Sequence, residues 1–222
     1  MRPADRRPPP GMRAFVATIR HPIGWQARLL WDLEIVGREH LPAGAHVVAA
    51  NHQSLIDPVL VTLVERGNVR YLAAAELFDK HPLFDRLISF FGAIPTHKDR
   101  PVIAAVRAAM AELETGRPIG VFPEGRRVTH WGEEPPQRGA AWLALHAGVP
   151  LVPVAIAGAD GTLSHRNPRF NRSTVRIWVQ PAIDPKAYLD HADPVDAIGR
   201  AWVASIGERL DPWSDHPLVG EL

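Results

Sequence analysis

The sequence predicts a single α/β domain with a largely parallel, mixed central sheet flanked by helices. Three observations carry that expectation. Apolar runs of strand length recur between residues 45 and 179. Segments with helical start and stop signals fall between them, which is the pattern of successive strand and helix crossovers. The chain has 222 residues, 46% hydrophobic and 22% charged, enough to bury one substantial core.

In chain order, residues 1–11 are rich in Pro and Arg and are expected to be mobile. Met12, Phe15, Val16 and Ile19 then recur at offsets of three, four and seven, which makes one apolar helical face. Pro22 should end that helix, and Trp25 with Leu29 can open a second short amphipathic turn carrying Arg28 on another side; the two short helices can lie on a membrane or pack on the core of their own domain. Strands are expected at 45–50, 69–74, 119–122, 151–157 and 174–179 from their apolar composition. A helix is expected over 58–66, with Asp57 as its N-cap, Pro58 at the first helical position and Gly67 just past its end. Further helices are expected over 101–115 and 138–147, the latter stopping before Gly148. A closing helix over 194–210 would have Asp193 as N-cap and Pro194 behind it.

Composition narrows the chemistry. The chain has no cysteine, which excludes thiolate nucleophiles, Cys-ligated zinc and disulfides, and fits a reducing compartment. The net charge of +1 conceals an asymmetry, because residues 1–32 hold six arginines against Asp5 and Asp32. A basic end of this kind faces an anionic membrane or nucleic acid, or is simply solvated. No secretory signal is expected, since Arg13 and Arg20 interrupt the short apolar stretch that follows Pro8 to Pro10. The uncharged run 139–159 has membrane-spanning length, but Gly148, Pro150 and Pro153 make it a helix, a turn and a strand.

Two clusters carry chemistry. In the first, an apolar strand runs into Asn51-His52-Gln53-Ser54-Leu55-Ile56-Asp57 and then a helix. Polar side chains at the C-terminal edge of a strand are placed to meet ligands. With His52 in the turn and Asp57 at the helix start, the carboxylate can accept from the imidazole Nδ1–H, leaving Nε2 as a base. Asp57 can also serve only as a cap, and its two oxygens allow both roles. In the second cluster, Phe122-Pro123-Glu124-Gly125-Arg126-Arg127 ends another apolar strand in a turn with an acid, a glycine and two guanidiniums. Such a turn suits an anionic group, or forms a plain surface Arg–Glu pair.

Taken in this order, the two clusters resemble the phospholipid and glycerol acyltransferase family typified by bacterial 1-acylglycerol-3-phosphate acyltransferases. The resemblance covers roughly residues 33–185. It extends through Gly37-Arg38-Glu39-His40-Leu41-Pro42, Glu76-Leu77-Phe78, Gly92-Ala93-Ile94-Pro95, Arg138-Gly139-Ala140 and Val149-Pro150-Leu151-Val152-Pro153-Val154. It implies that His52 and Asp57 are the catalytic pair of the HxxxxD motif, with His52 the general base. Glu124, Gly125 and Arg127 match the acceptor-binding FPEGxR turn, and Pro150 and Pro153 match the last motif. Two departures bear on the acceptor. Lys98, with Arg100 two places on, stands where the family usually has Arg, and Arg126 and Val128 replace the usual Thr and Ser. Lys98 supplies charge without the planar bidentate fork of a guanidinium.

Rival classes fit less well. No serine lies in a G-x-S-x-G elbow, which a serine hydrolase would have. His40, His46 and His52 are six apart with no H-E-x-x-H, so a metal hydrolase lacks its ligands. A non-catalytic lipid-binding module would most simply lack His52 or Asp57. Arg166, Arg169, Arg172 and Arg176 lie in a span free of acids, but no nucleic-acid-binding motif accompanies them. The expectation is therefore an O-acyltransferase domain over residues 33–222, behind a basic amphipathic segment over residues 1–32. Its donor would be acyl-CoA or acyl-carrier protein and its best-guess acceptor 1-acylglycerol-3-phosphate, with another lysolipid or an amino-linked lipid as the alternative. Substrate binding falls to Lys98, Arg100, Glu124, Gly125, Arg126 and Arg127, with no metal, cofactor or nucleic-acid partner. The expected place is the cytoplasmic face of a membrane, held peripherally.

Overall fold

A computed structural model of the chain describes residues 31–65, 69–74, 93–96 and 103–214. The expected helices before residue 31, the Glu76-Leu77-Phe78 motif, Lys98 and Arg100 lie outside the described residues. Among the described residues seven strands form one sheet: β1 (Glu34–Val36), β2 (Val47–Ala50), β3 (Arg70–Ala74), β4 (Ala93–Thr96), β5 (Ile119–Val121), β6 (Leu151–Ala157) and β7 (Arg176–Val179). The helices are α1 (Asp57–Val64), α2 (Ile103–Glu114), α3 (Gly139–Ala147) and α4 (Pro194–Ser214). Strand order is β1-β7-β6-β2-β5-β3-β4, and every pairing is parallel except β6 with β7. The fold is the expected mixed α/β sheet.

Side-chain alternation along the strands builds two cores. Val47 and Ala49 of β2, with Leu151 and Ala155 of β6, face α2, α3 and α4. Val48 and Ala50, with Val152, Val154 and Ile156, face α1 and Leu41. Because β2 and β6 are covered on both faces, they read as continuous apolar runs, and both were legible as strands. A fully buried Val or Ile at these positions contributes about 1.5–3 kcal/mol relative to exposure. The indole of Trp202 on α4 also donates to the Ala49 carbonyl at 2.9 Å, fixing the helix layer to β2.

β2 and β7 begin two residues later than expected and α4 runs on to Ser214, but the larger differences lie at β1, β4 and the start of α1. β1 and β4 were not anticipated as strands. β1 has only three residues and lies at one sheet edge, while β4 contains Pro95 and lies at the other, where a missing backbone donor is tolerated. Helix α1 begins at Asp57 and ends at Val64, so Asp57 is its first residue and Ile56 holds the cap position. At α4 the expected cap is present, with Asp193 accepting from the Asp196 N–H at 3.1 Å. After β1 the chain turns at Gly37, with φ +83°, where a Cβ would lie 2.1 Å from the Val179 carbonyl oxygen. Only glycine passes there.

Candidate active site

Strands β2, β5 and β6 are adjacent and parallel, so their C-terminal ends share one edge of the sheet. His52 follows β2, the Phe122–Arg127 turn follows β5, and the segment from Gly158 follows β6. Asn51 closes the end of β2 against β6 with a paired contact, its Nδ2 donating to the Ile156 carbonyl at 2.8 Å and its Oδ1 accepting from the Ile156 N–H at 2.7 Å. The side chain continues the ladder one step past the strand, so the next residue leaves from a fixed point.

That residue is His52. Its Nδ1 lies 2.8 Å from Asp57 Oδ2, and the same oxygen accepts from the Gln53 and Ser54 N–H groups at 2.8 and 2.7 Å. A carboxylate oxygen can only accept, so the ring proton sits on Nδ1 and the Nε2 lone pair is free in the neutral ring. The imidazole stacks on Phe122, with ring centroids 4.3 Å apart and planes inclined by 25°. Behind it, Phe122 stacks on Tyr71 at 6.0 Å. Asp57 is fully buried and His52 is 16% exposed at its side chain, so the imidazole is reachable and the carboxylate that holds it is not.

The two turns are joined through the His52 backbone. The His52 N–H donates to Glu124 Oε2 at 2.5 Å, and the Val128 N–H donates to the His52 carbonyl at 2.8 Å. Glu124, read from sequence as an acceptor contact, therefore turns inward and grips the backbone of His52. Burial pushes its carboxyl up to about 8; the His52 N–H opposes the shift, and the charges of Asp57 and Glu133 add to it. Its Oε1 is buried with no partner among the described residues, which favours the neutral form.

A pH prediction follows for Glu124. The folded state raises this pKa from 4.5, so the carboxyl favours folding most below about pH 4.5 and loses that contribution as pH rises towards 8. The loss is on the order of 4 kcal/mol at most. Glu124→Gln keeps an acceptor for the His52 N–H and removes the titration. Its urea midpoint is expected to hold between pH 5 and 8 while the wild-type midpoint falls; parallel curves would refute the buried neutral acid.

The remaining candidates divide. Gly125 has φ +71°, and a Cβ there would lie 2.0 Å from the Gln137 amide nitrogen, so the turn is built for glycine. Arg126 is half-exposed and tied to Glu133 and Glu134 at 2.8 and 2.6 Å. Arg127 is partly buried, and its guanidinium donates to the Leu163 carbonyl at 3.4 Å. Leu163 also accepts from the Leu55 N–H at 3.1 Å, so the structure brings His52, Asp57, Glu124 and Arg127 around one edge. Sequence reasoning missed Asn51 as a ladder residue, Phe122 as the ring beneath His52, and Asp160. Asp160 is buried, its pKa raised by that burial and by Asp57, with Arg166 3.6 Å away opposing the shift. Its only sequence signal was an acid soon after an apolar strand. His40 and His46 bond elsewhere, to the Val179 carbonyl and to Glu65. Among the described residues no three His, Asp or Glu converge as a metal site, and no helix is long and apolar enough to cross a membrane.

Comparison with known proteins gives the same direction. A family model described as Acyltransferase matches residues 32–157. A chloroplastic 1-acyl-sn-glycerol-3-phosphate acyltransferase of Arabidopsis thaliana is 27% identical over 194 residues, covering 82% of this chain and 50% of the relative. One from Brassica napus is 28% identical over 152 residues, covering 63% and 43%. A 1-acyl-sn-glycerol-3-phosphate acyltransferase of Helicobacter pylori is 26% identical over 183 residues, covering 81% and 71%. The chain spans about half the length of the plant relatives. The crystal structure of the 1-acyl-sn-glycerophosphate acyltransferase of Thermotoga maritima superposes with a TM-score of 0.72 at 23% identity, over 92% of this chain and 82% of that one. The fold is shared.

Proposed function

Since the chain belongs to the acyltransferase family, whose pattern spans residues 32–157, we propose that it moves a fatty acyl group from an acyl thioester to a lysophospholipid hydroxyl, with 1-acylglycerol-3-phosphate as the acceptor. The observation that carries the proposal is the His52 ring, held by Asp57 through Nδ1 with Nε2 left free. Nε2 removes the proton of the acceptor hydroxyl as its oxygen attacks the thioester carbonyl. The tetrahedral intermediate collapses, the carbon–sulfur bond breaks, and the thiolate takes the proton back from the imidazolium. Ester and free thiol result, and no metal or cofactor enters the balance. Asp57 stabilises the transient imidazolium and Glu124 fixes the backbone from which the ring projects.

Acyl-CoA or acyl-carrier protein is the donor. Arg127 is assigned to the acceptor phosphate because Arg126 is already held by two carboxylates. Lys98 and Arg100 are proposed to add charge to that site. The enzyme works at the cytoplasmic face of a membrane, held peripherally by the apolar face of Met12, Phe15, Val16 and Ile19 with Arg13, Arg20 and Arg28.

Purified protein is assayed against a panel of lysolipids and amino-linked lipids with both donors; absence of acyl transfer to any of them would end the reading. Arg127→Ala is expected to raise KM for a phosphate-bearing acceptor by about 10–100-fold, the worth of a charged hydrogen bond, with a smaller effect on the donor. Equal effects on both substrates would remove Arg127 from the acceptor site.

A further inference from the structure

Between β6 and β7 the chain runs out from the catalytic edge and returns to it. The excursion is folded on itself: the Leu163 N–H donates to the Arg169 carbonyl at 3.0 Å, the Ser164 N–H to the Asn167 carbonyl at 2.8 Å, and the Asn171 N–H to Thr162 Oγ1 at 3.1 Å. It is also stitched to the catalytic turn. Ser54 Oγ donates to the Thr162 carbonyl at 2.5 Å and the Leu55 N–H to the Leu163 carbonyl at 3.1 Å. A loop this well satisfied in its backbone is a built element that presents its side chains in fixed places.

Those side chains have a distinct composition. Phe170 is 53% exposed, and Leu55 beside the loop is 39% exposed. Arg166, Arg169 and Arg172 are exposed, and no Asp or Glu occurs from residue 161 to residue 183. An exposed ring among cations is unfavourable against bulk water and suited to a surface that offers hydrocarbon below and phosphate above. The Phe170 ring meets Trp31 edge-on, with centroids 5.4 Å apart, so a buried neighbour supports it from behind. β1 runs parallel to β7, so the chain enters the sheet from Trp31 at this same edge. The basic N-terminal segment is thus joined to the domain on the side where the loop emerges.

We propose that residues 161–172 are a docking element for an anionic lipid bilayer, with Phe170 entering the interface and Arg169 and Arg172 meeting lipid phosphates beside the His52 edge. The proposal rests on the reading that the acceptor is a membrane lipid, and it adds a second contact to residues 12–32. Docking here sets the catalytic edge against the bilayer, where one end of the sheet would otherwise be free to point in any direction.

The absence of cysteine allows a single probe. Full-length Pro168→Cys, carrying an environment-sensitive fluorophore, is mixed with vesicles of phosphatidylcholine alone or with phosphatidylglycerol. Its emission is expected to shift to the blue and to lose access to an aqueous quencher on the anionic vesicles. In co-sedimentation, Arg169→Gln with Arg172→Gln should weaken binding to the anionic vesicles by roughly thirtyfold, at about fivefold per cation. Phe170→Ser should weaken it further. Turnover of a detergent-dispersed acceptor should stay at the wild-type rate in these variants. A probe that remains in water on vesicles that bind the protein would overturn the proposal, with Arg13/Arg20/Arg28→Gln then showing whether residues 12–32 act alone. A probe shielded before vesicles are added would also overturn it, because the chain itself would cover the loop. Vesicle binding is read without turnover, so failure of the docking surface and failure of the acyltransferase reading are separate results.

Discussion

His52→Ala is expected to lower kcat by about 10²–10⁴ with little change in the melting temperature. The size follows from what the ring does: Nε2 has a free lone pair in the neutral tautomer, so its removal takes away the only positioned base on the His52 turn. The stability expectation follows from what holds the turn. The His52 N–H and carbonyl make the contacts to Glu124 and Val128, and these belong to the backbone, which alanine retains. The ring does contribute its stacking on Phe122, a loss of about 1 kcal/mol. Turnover within tenfold of wild type would exclude His52 as the base. A loss of both fold and activity would instead mean that the stack organises the turn, and the kcat of His52→Gln in folded protein would then carry the test.

Asp57 gives the second large effect, and the contrast between two variants separates its roles. Asp57→Asn leaves a carbonyl oxygen where Oδ2 accepts from His52, Gln53 and Ser54, so the turn keeps its hydrogen bonds. It removes the negative charge that stabilises the imidazolium, and kcat is expected to fall by about 10²-fold or more. Asp57→Ala leaves two backbone donors and the imidazole without an acceptor, in a position with no exposure. That variant should lose about 2–4 kcal/mol in chemical denaturation as well as activity. If Asp57→Asn retained turnover while Asp57→Ala merely unfolded, the carboxylate would be structural only.

The same residue marks how far the sequence could be read. An Asp followed by Pro before an apolar helix fits either the cap with Pro behind it or the first helical residue, and composition does not separate them. The structure takes the second option, and the carboxylate swings back over residues 52–54 instead of forward over the helix. The convergence of His52 and Asp57 was legible because both lie within one turn. The grip of Glu124 on the His52 N–H joins residues 72 positions apart and leaves no local trace. Strands β2 and β6, covered on both sides, announced themselves by unbroken apolar runs. The edge strands β1 and β4 bury too little to show a pattern, and Pro95 argued against a strand until its edge position was known. Arg126 looked like half of an anion-binding pair. Its commitment to Glu133 and Glu134 was visible only as acids seven and eight residues later, a spacing with no helix to give it meaning.

The position of β2 in the sheet also sets the order in which the protein can be assembled during synthesis. Its two partners are β5 and β6, with Ala49 opposite Val121 and Pro153, so neither neighbour exists when the strand leaves the ribosome. At about 5–20 residues per second the second neighbour follows roughly 5–20 seconds later. Until β5 is made β2 has both rows of backbone groups open, and until β6 is made one row stays open, a condition under which nascent chains associate or are held by chaperones. His52 is therefore made early and meets Glu124 and Val128 late, after more than half of the chain has been translated.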